Sequence, residues 1–274
     1  MLKRDSVILQ TGSTLSLLIE MMSARAPTLS ALAVVFLLFA GVLHTAETAS
    51  IRWHKTLQQA TAVALKTNKP IMIEFWADWC EPCQVMEKDV YSDPNIAGLI
   101  EAAVVPLRLS FDNDKQLVRR YEVEAVPYLI FGDSYGTELL HHRGILATKD
   151  LSAIIRALPS DISEINRLDG VLQKDNRSFD ALKDFGARLR ETNLFQVSNQ
   201  FYERALKTDG AKKNPIARET ILRDLGLNFL ELREGKQAAS VFERCLKEFP
   251  NGESRSSCQG GLRQAYTLMG RKIQ

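Results

Sequence analysis

The stretch IMIEFWADWCEPC, residues 71–83, constrains the fold more than any other. Residues 71–77 form a continuous apolar run broken by one acid, Glu74. Such a run reads as a β-strand buried on both faces, which requires covering layers on each side of its sheet. Two cysteines, Cys80 and Cys83, follow at once as C-x-x-C. An unpaired carboxylate is costly to bury, so Glu74 either serves the thiols beside it or reaches the surface at a strand edge.

The flanking sequence supplies the covering layers. WHKTLQQATAVALKTNKP places Leu57, Ala60 and Ala64 on one helical face, and Asn68 and Pro70 stop the helix. The helix after the cysteines carries Val85, Met86 and Val90, and Asp93-Pro94 interrupts it. AVVPLRLS reads as a second strand, NDKQLVRRYEV as a short helix and VPYLIF as a third strand. GDSYG is a turn and TELLHHR a fourth strand, so the last two strands form a hairpin. Thr148 is expected to cap a closing helix with Leu151, Ile154, Ile155 and Leu158 facing inward. This order predicts a mixed sheet flanked by helices over residues 51–159.

From residue 160 to residue 274 the pattern is all helical, without strand candidates. A repeat is legible there: Leu225, Gly226, Phe229, Ala238, Phe242, Cys245 and Pro250 stand at the spacing of a 34-residue two-helix unit. Small residues let two helices approach while aromatics fill the groove between them. A weaker copy runs through Phe185, Gly186, Leu189, Ser198, Tyr202 and Ala205, with an insertion expected around KKNPIA. SCQGGLRQAYTLMG reads as a terminal helix covering the exposed end. This part resembles a tetratricopeptide repeat array, which implies a protein-docking module.

At a strand-to-helix junction, Cys80 lies where unpaired backbone N–H groups and the helix dipole stabilise a thiolate. The thiolate is the species that attacks a disulfide, so Cys80 is the expected nucleophile. Cys83, one turn inside, would resolve the mixed disulfide. A zinc site needs two further ligands; Cys245 and Cys258 belong to the repeat portion, and the four histidines show no ligand spacing. A bridge closing so short a loop adds little stability, which argues against a merely structural role.

FWADWCEPC, EAVPYLIF about 45 residues on, and Gly144 after the last strand resemble the thioredoxin fold. ADWC, EKDVYSDPNI and the G-x-E hairpin strand are similar to the periplasmic C-terminal thioredoxin-like domain of the disulfide reductase DsbD and related secreted proteins. The resemblance implies a dithiol–disulfide oxidoreductase whose only redox group is the Cys80/Cys83 pair. It makes Trp79 the flanking aromatic, Pro127 a cis-proline facing the sulfurs, and Val126 the residue whose backbone meets a substrate chain. It places Glu74 where thioredoxins keep a buried acid that exchanges a proton with the inner thiol. Arg108, on the next strand, is a weak candidate for the charge partner of Glu74.

Residues 29–43 are uncharged and apolar over 15 positions, right for a signal-peptide core and short for a membrane span. Residues 1–50 are therefore a signal peptide or a retained anchor, and the rest lies outside the cytoplasm. In that compartment Cys245 and Cys258 are either bridged or two buried thiols. A net charge of +2 without a basic block gives no reason to expect a nucleic-acid partner. The expected partners are protein disulfides, a membrane electron donor and a protein docked by the helical module. The competing reading is a scaffold whose helical module carries the function and whose α/β part is a docking platform.

Overall fold

The structure, a computed structural model, describes residues 50–270; residues 29–43, expected to be a targeting segment, lie outside the described residues. The first part is a four-stranded mixed sheet with helices on both faces. In chain order it contains α1 (Leu57–Thr67), β1 (Ile71–Trp76), α2 (Glu81–Met86) running into a π-helical turn (Glu87–Tyr91), α3 (Pro94–Ala103), β2 (Val105–Ser110), α4 (Lys115–Arg120), β3 (Tyr128–Gly132), β4 (Glu138–Arg143) and α5 (Thr148–Ala157). The strand order is β2-β1-β3-β4. β1 is parallel to β2 and antiparallel to β3, and β3 and β4 form the expected antiparallel hairpin.

The alternation of side chains along β1 organises both faces. Ile71, Ile73 and Phe75 join Ala60 and Ala64 of α1 in one core. Met72 points the other way, into a core with Met86, Val90, Ile96, Ile100, Leu151 and Ile155. By the same alternation Glu74 is on the Met72 face, beneath α2. β1 is central and buried, as its unbroken apolar run requires.

Local readings fail at three points. The Asp93-Pro94 pair does interrupt the helix, but it also starts α3, which the sequence reading left unassigned. Asp93 accepts from the Asn95 N–H at 2.8 Å and Pro94 occupies the first turn, where its missing N–H costs nothing. Val85, grouped by its spacing with Met86 and Val90, is 37% exposed, whereas those two are buried. Ala147, not Thr148, holds the cap position of α5 and makes no side-chain cap bond.

The second part is helical among the described residues: α6 (Ser163–Leu172), α7 (Phe179–Glu191), α8 (Phe195–Leu206), α9 (Asp209–Lys213), α10 (Pro215–Glu231), α11 (Gly235–Glu248) and α12 (Arg255–Leu268). Two hairpins, α7 with α8 and α10 with α11, match position for position at an offset of 40 residues. A Cβ on Gly186 would lie 2.6 Å from the Tyr202 ring, and one on Gly226 would collide with Phe242. The turns between the paired helices use left-handed residues at corresponding places, Asn193 (φ 61°) and Arg233 (φ 58°). KKNPIA, residues 212–217, where the insertion is expected, straddles the end of the short helix α9 and the start of α10. Cys245 on α11 and Cys258 on α12 are joined as a disulfide, with both residues fully buried.

The two parts belong to one compact unit. Leu139 of β4 is buried in the same core as Ile162, Ile165 and Leu168 around α6. Among the described residues no helix is long and apolar enough to cross a membrane.

Candidate active site

β1 ends at Trp76, and Ala77, Asp78 and Trp79 turn the chain into α2. The Cys80 N–H donates to the Ala77 carbonyl at 3.1 Å, and Gln84 Nε2 donates to the Asp78 carbonyl at 3.1 Å, which ties the turn to the helix. Cys80 is the N-cap: its backbone is extended (φ −83°, ψ 95°), and its Sγ accepts the Cys83 N–H at 3.1 Å. Pro82 sits in the first turn, where it needs no N–H partner. Cys80 and Cys83 form a disulfide with Cα atoms 5.3 Å apart.

Around the bridge, Ala77, Cys80 and Cys83 are buried together with Trp76, Phe111 and Val126 packed against them. The Val126-Pro127 peptide is cis, and the Pro127 carbonyl accepts the N–H of Gly144, whose φ of +88° is left-handed. Trp79 is 63% exposed; its Nε1 donates to Asp112 Oδ2 at 2.8 Å and its ring meets Phe111 edge-on. The loop and the indole thus flank the bridge.

Exposure does not separate the two cysteines in this bridged state: Cys80 is 2% exposed and Cys83 5%. Their surroundings do. A backbone N–H aims at the Cys80 sulfur from the helix end. Cys83 lines a pocket of about 280 Å³ with Glu74, Trp76, Gln84, Glu87 and Arg108.

Glu74 is 1% exposed, which decides the question of a surface strand residue against that reading. It is paired: Arg108, its register partner on β2, donates from Nε to Glu74 Oε2 at 2.6 Å. The guanidinium also donates to Glu87 Oε2 at 2.6 Å and lies 4.1 Å from the Trp53 ring centroid, with Trp76 and Tyr91 at 5.5 Å. Burial pushes the Glu74 carboxyl above its ordinary value; Arg108 pulls it back only in part. Burial, and then the charge on Glu74, push the Tyr91 phenol well up, so it stays a neutral hydroxyl. A carboxyl raised toward neutrality, one pocket away from Cys83, can carry a proton to and from that sulfur.

The sequence reading missed Glu87, Tyr91, Trp53, Phe111 and Asp112. Arg108 had a signal of the same kind as Glu74, a lone charge inside an apolar strand, and the two sit on adjacent strands in register. The others come from turns and helix faces whose approach to β1 depends on the fold. Among the described residues no three His, Cys, Asp or Glu side chains converge as metal ligands.

This combination of sheet, bridged C-x-x-C and cis-proline loop defines the class: the α/β part is a thioredoxin-like domain, and residues 52–134 match the family model described as Thioredoxin-like. Among curated proteins, the thiol:disulfide interchange protein TxlA homolog of Synechocystis sp. is 35% identical over 100 residues, covering 35% of this chain and 53% of that protein. The thiol:disulfide interchange protein DsbD of Vibrio vulnificus is 31% identical over 96 residues, covering 34% of this chain and 16% of that protein. The chain therefore spans about half the length of the first relative and about a sixth of the second. A solved thioredoxin from Thermus thermophilus is 29% identical, covers 39% of this chain and 85% of that one, and has a TM-score of 0.36.

Proposed function

We propose that the protein is a thiol–disulfide oxidoreductase working outside the cytoplasm as a reductase of protein disulfides. The observation that carries this is the Cys80–Cys83 bridge at a helix N-terminus, with a buried, upshifted carboxyl behind the inner sulfur. In the reduced enzyme, the Cys80 thiolate attacks a substrate sulfur, and the second substrate sulfur leaves as a thiol or thiolate. Cys83 loses its proton toward Glu74 and attacks Cys80 Sγ. The enzyme bridge forms, the substrate is released with two thiols, and two electrons have passed to it. Val126 and Pro127 present the backbone that holds the substrate chain, and Trp79 supplies the apolar wall beside it. Electrons return from a membrane donor of the kind that the DsbD resemblance implies.

Residues 51–159 form the catalytic domain in this reading. Residues 160–274 form a tetratricopeptide-like module that docks a protein partner, with its outer hairpin held by the Cys245–Cys258 bridge. A bridge between two helices suits an oxidising compartment, as does the apolar segment at residues 29–43.

Insulin reduction by the described chain, with dithiothreitol as electron source, tests this. The expected result is precipitation of the freed insulin B chain well above the uncatalysed rate, lost entirely in Cys80→Ala. A wild-type rate equal to background would leave the docking-platform reading standing.

A further inference from the structure

The turn between β3 and β4 is built around a buried acid. Asp133 is fully buried, and its Oδ1 accepts the N–H groups of Tyr135 and Thr137 at 2.9 Å each. That turn lies at the end of the sheet away from the cysteines: Gly132 pairs with Ile71, whereas Tyr128 pairs with Phe75. Helix α6 of the helical part closes over it. Asn166 Oδ1 accepts the Ser134 N–H at 3.0 Å, and Thr137 Oγ1 donates to Asp169 Oδ2 at 2.7 Å. Tyr135 lies over Gly170.

Two buried carboxyl groups, Asp133 on the turn and Asp169 on α6, therefore meet across this junction. Asp169 is 3% exposed and takes Gln173 Nε2 at 3.2 and 3.3 Å besides Thr137. Among the described residues no lysine, arginine or histidine pairs with either acid. Tyr121, the residue that ends α4, donates to the Gly136 carbonyl of the turn at 2.6 Å and is pushed up to about 12 by burial, so it stays neutral. Arg120 and Glu138 act on that phenol rather than bonding to the acids. Asp133 Oδ2 receives no N–H or O–H from the rest of the structure. Thr137 ties the two acids together, its N–H on Asp133 Oδ1 and its hydroxyl on Asp169 Oδ2, and two carboxyl groups bond to each other only when one carries a proton.

We propose that Asp133 keeps a proton at this junction, and that this proton, held toward Asp169, fastens the helical part to the far end of the sheet. Two buried like charges this close do not both ionise without cost. Burial first, and then Asp169, push the Asp133 carboxyl well above the usual carboxylate range, against the pull of its two N–H donors. The sign follows. The folded junction keeps a proton that the opened junction releases near the ordinary Asp value of about 3.9, so closure is strongest below that pH. It weakens as pH rises through the upshifted folded value and is flat beyond it. When the proton leaves, the two carboxylates repel, and α6 no longer has a fixed seat on the turn. The helical face then ceases to be held at a set position relative to Cys80 and Cys83.

Hydrogen–deuterium exchange of the full chain tests this, following the amides of Ser134, Tyr135 and Thr137 from pH 5 to 9 with intrinsic rates corrected. In the wild type, protection should fall by up to about tenfold per pH unit while the proton is leaving. Asp133→Asn keeps the Oδ1 acceptor and replaces the proton with a permanent N–H donor, so its protection should stay level across the range. Asp169→Asn, which donates in the opposite direction, should also be level and serves if the first variant folds poorly. Parallel losses in wild type and both variants, or a level wild type, would overturn the proposal. So would calcium restoring wild-type protection at pH 9, because a cation rather than a proton would then close the pair.

Discussion

Cys83→Ala protein mixed with oxidised substrate should accumulate a covalent enzyme–substrate adduct through Cys80, and Cys80→Ala protein should accumulate none. The asymmetry follows from where α2 starts. The Cys80 sulfur caps the helix and takes the Cys83 N–H, a position that favours its thiolate. Without Cys83 nothing displaces the substrate, so the intermediate persists. Without Cys80, the remaining sulfur lines the Glu74 pocket and lacks the helix-cap position that favours a thiolate. Non-reducing electrophoresis followed by mass mapping reads both outcomes. Equal trapping by the two variants would contradict the assigned roles. Turnover should fall to background in each, since one sulfur cannot complete a two-electron exchange.

The largest effect on stability should come from Arg108→Ala. Arg108 bonds Glu74 at 2.6 Å while Glu74 is 1% exposed. Removing the guanidinium leaves a buried carboxylate without a counter-ion, and breaking a buried pair in this way costs about 3–5 kcal/mol. The stacked ring of Trp53 would lose its partner as well. The pH dependence has a definite sign. The Glu74 carboxyl is already above its ordinary value because of burial, and Arg108 is what lowers it. Its loss raises the folded value further, so stability should decline with rising pH from the unfolded value of about 4.3 upward, over a wider range than in wild type. Urea melts at several pH values measure this.

Glu74→Gln separates stability from chemistry. The amide oxygen still accepts from Arg108, which keeps Glu87, so the stability loss should be well below that of Arg108→Ala. Resolution by Cys83 should nevertheless slow by about 10²-fold at neutral pH, the low end for loss of a positioned base. The deficit should shrink as alkaline pH ionises Cys83 unaided. An unchanged rate of resolution from pH 6 to 9 would remove Glu74 from the mechanism.

Much of this architecture was legible because β1 announces itself. An apolar run with one acid forces a central strand, and the order of elements then fixes the sheet. The two helical hairpins were legible for a related reason. Gly186 against Tyr202, and Gly226 against Phe242, need a small residue and an aromatic at one spacing, and that spacing recurs. What stayed hidden depends on contacts distant in sequence. The bracket of Glu74, Arg108 and Glu87 joins two strands and the end of α2, and no local pattern encodes that meeting. The Asp133 and Asp169 pair joins a turn to a helix 32 positions and more away, and reads in sequence as two ordinary polar residues. Helix α3 was lost to a local ambiguity: Asp-Pro ends one helix and begins another with the same two residues.

The reduction potential of the Cys80–Cys83 couple tests the central claim most directly. An oxidant stabilises its reduced thiolate strongly; here the helix end favours the Cys80 thiolate, but nearby carboxyl groups work against it. Glu81 stands beside Cys80, and Glu74 and Glu87 lie behind Cys83 with Arg108 shared between them. Equilibration in defined thiol–disulfide buffers, with the Cys80–Cys83 peptide resolved by mass from the buried Cys245–Cys258 peptide, gives the value. The account predicts a potential near that of thioredoxin, about −270 mV. A value near that of the strong oxidant DsbA, about −120 mV, would contradict it.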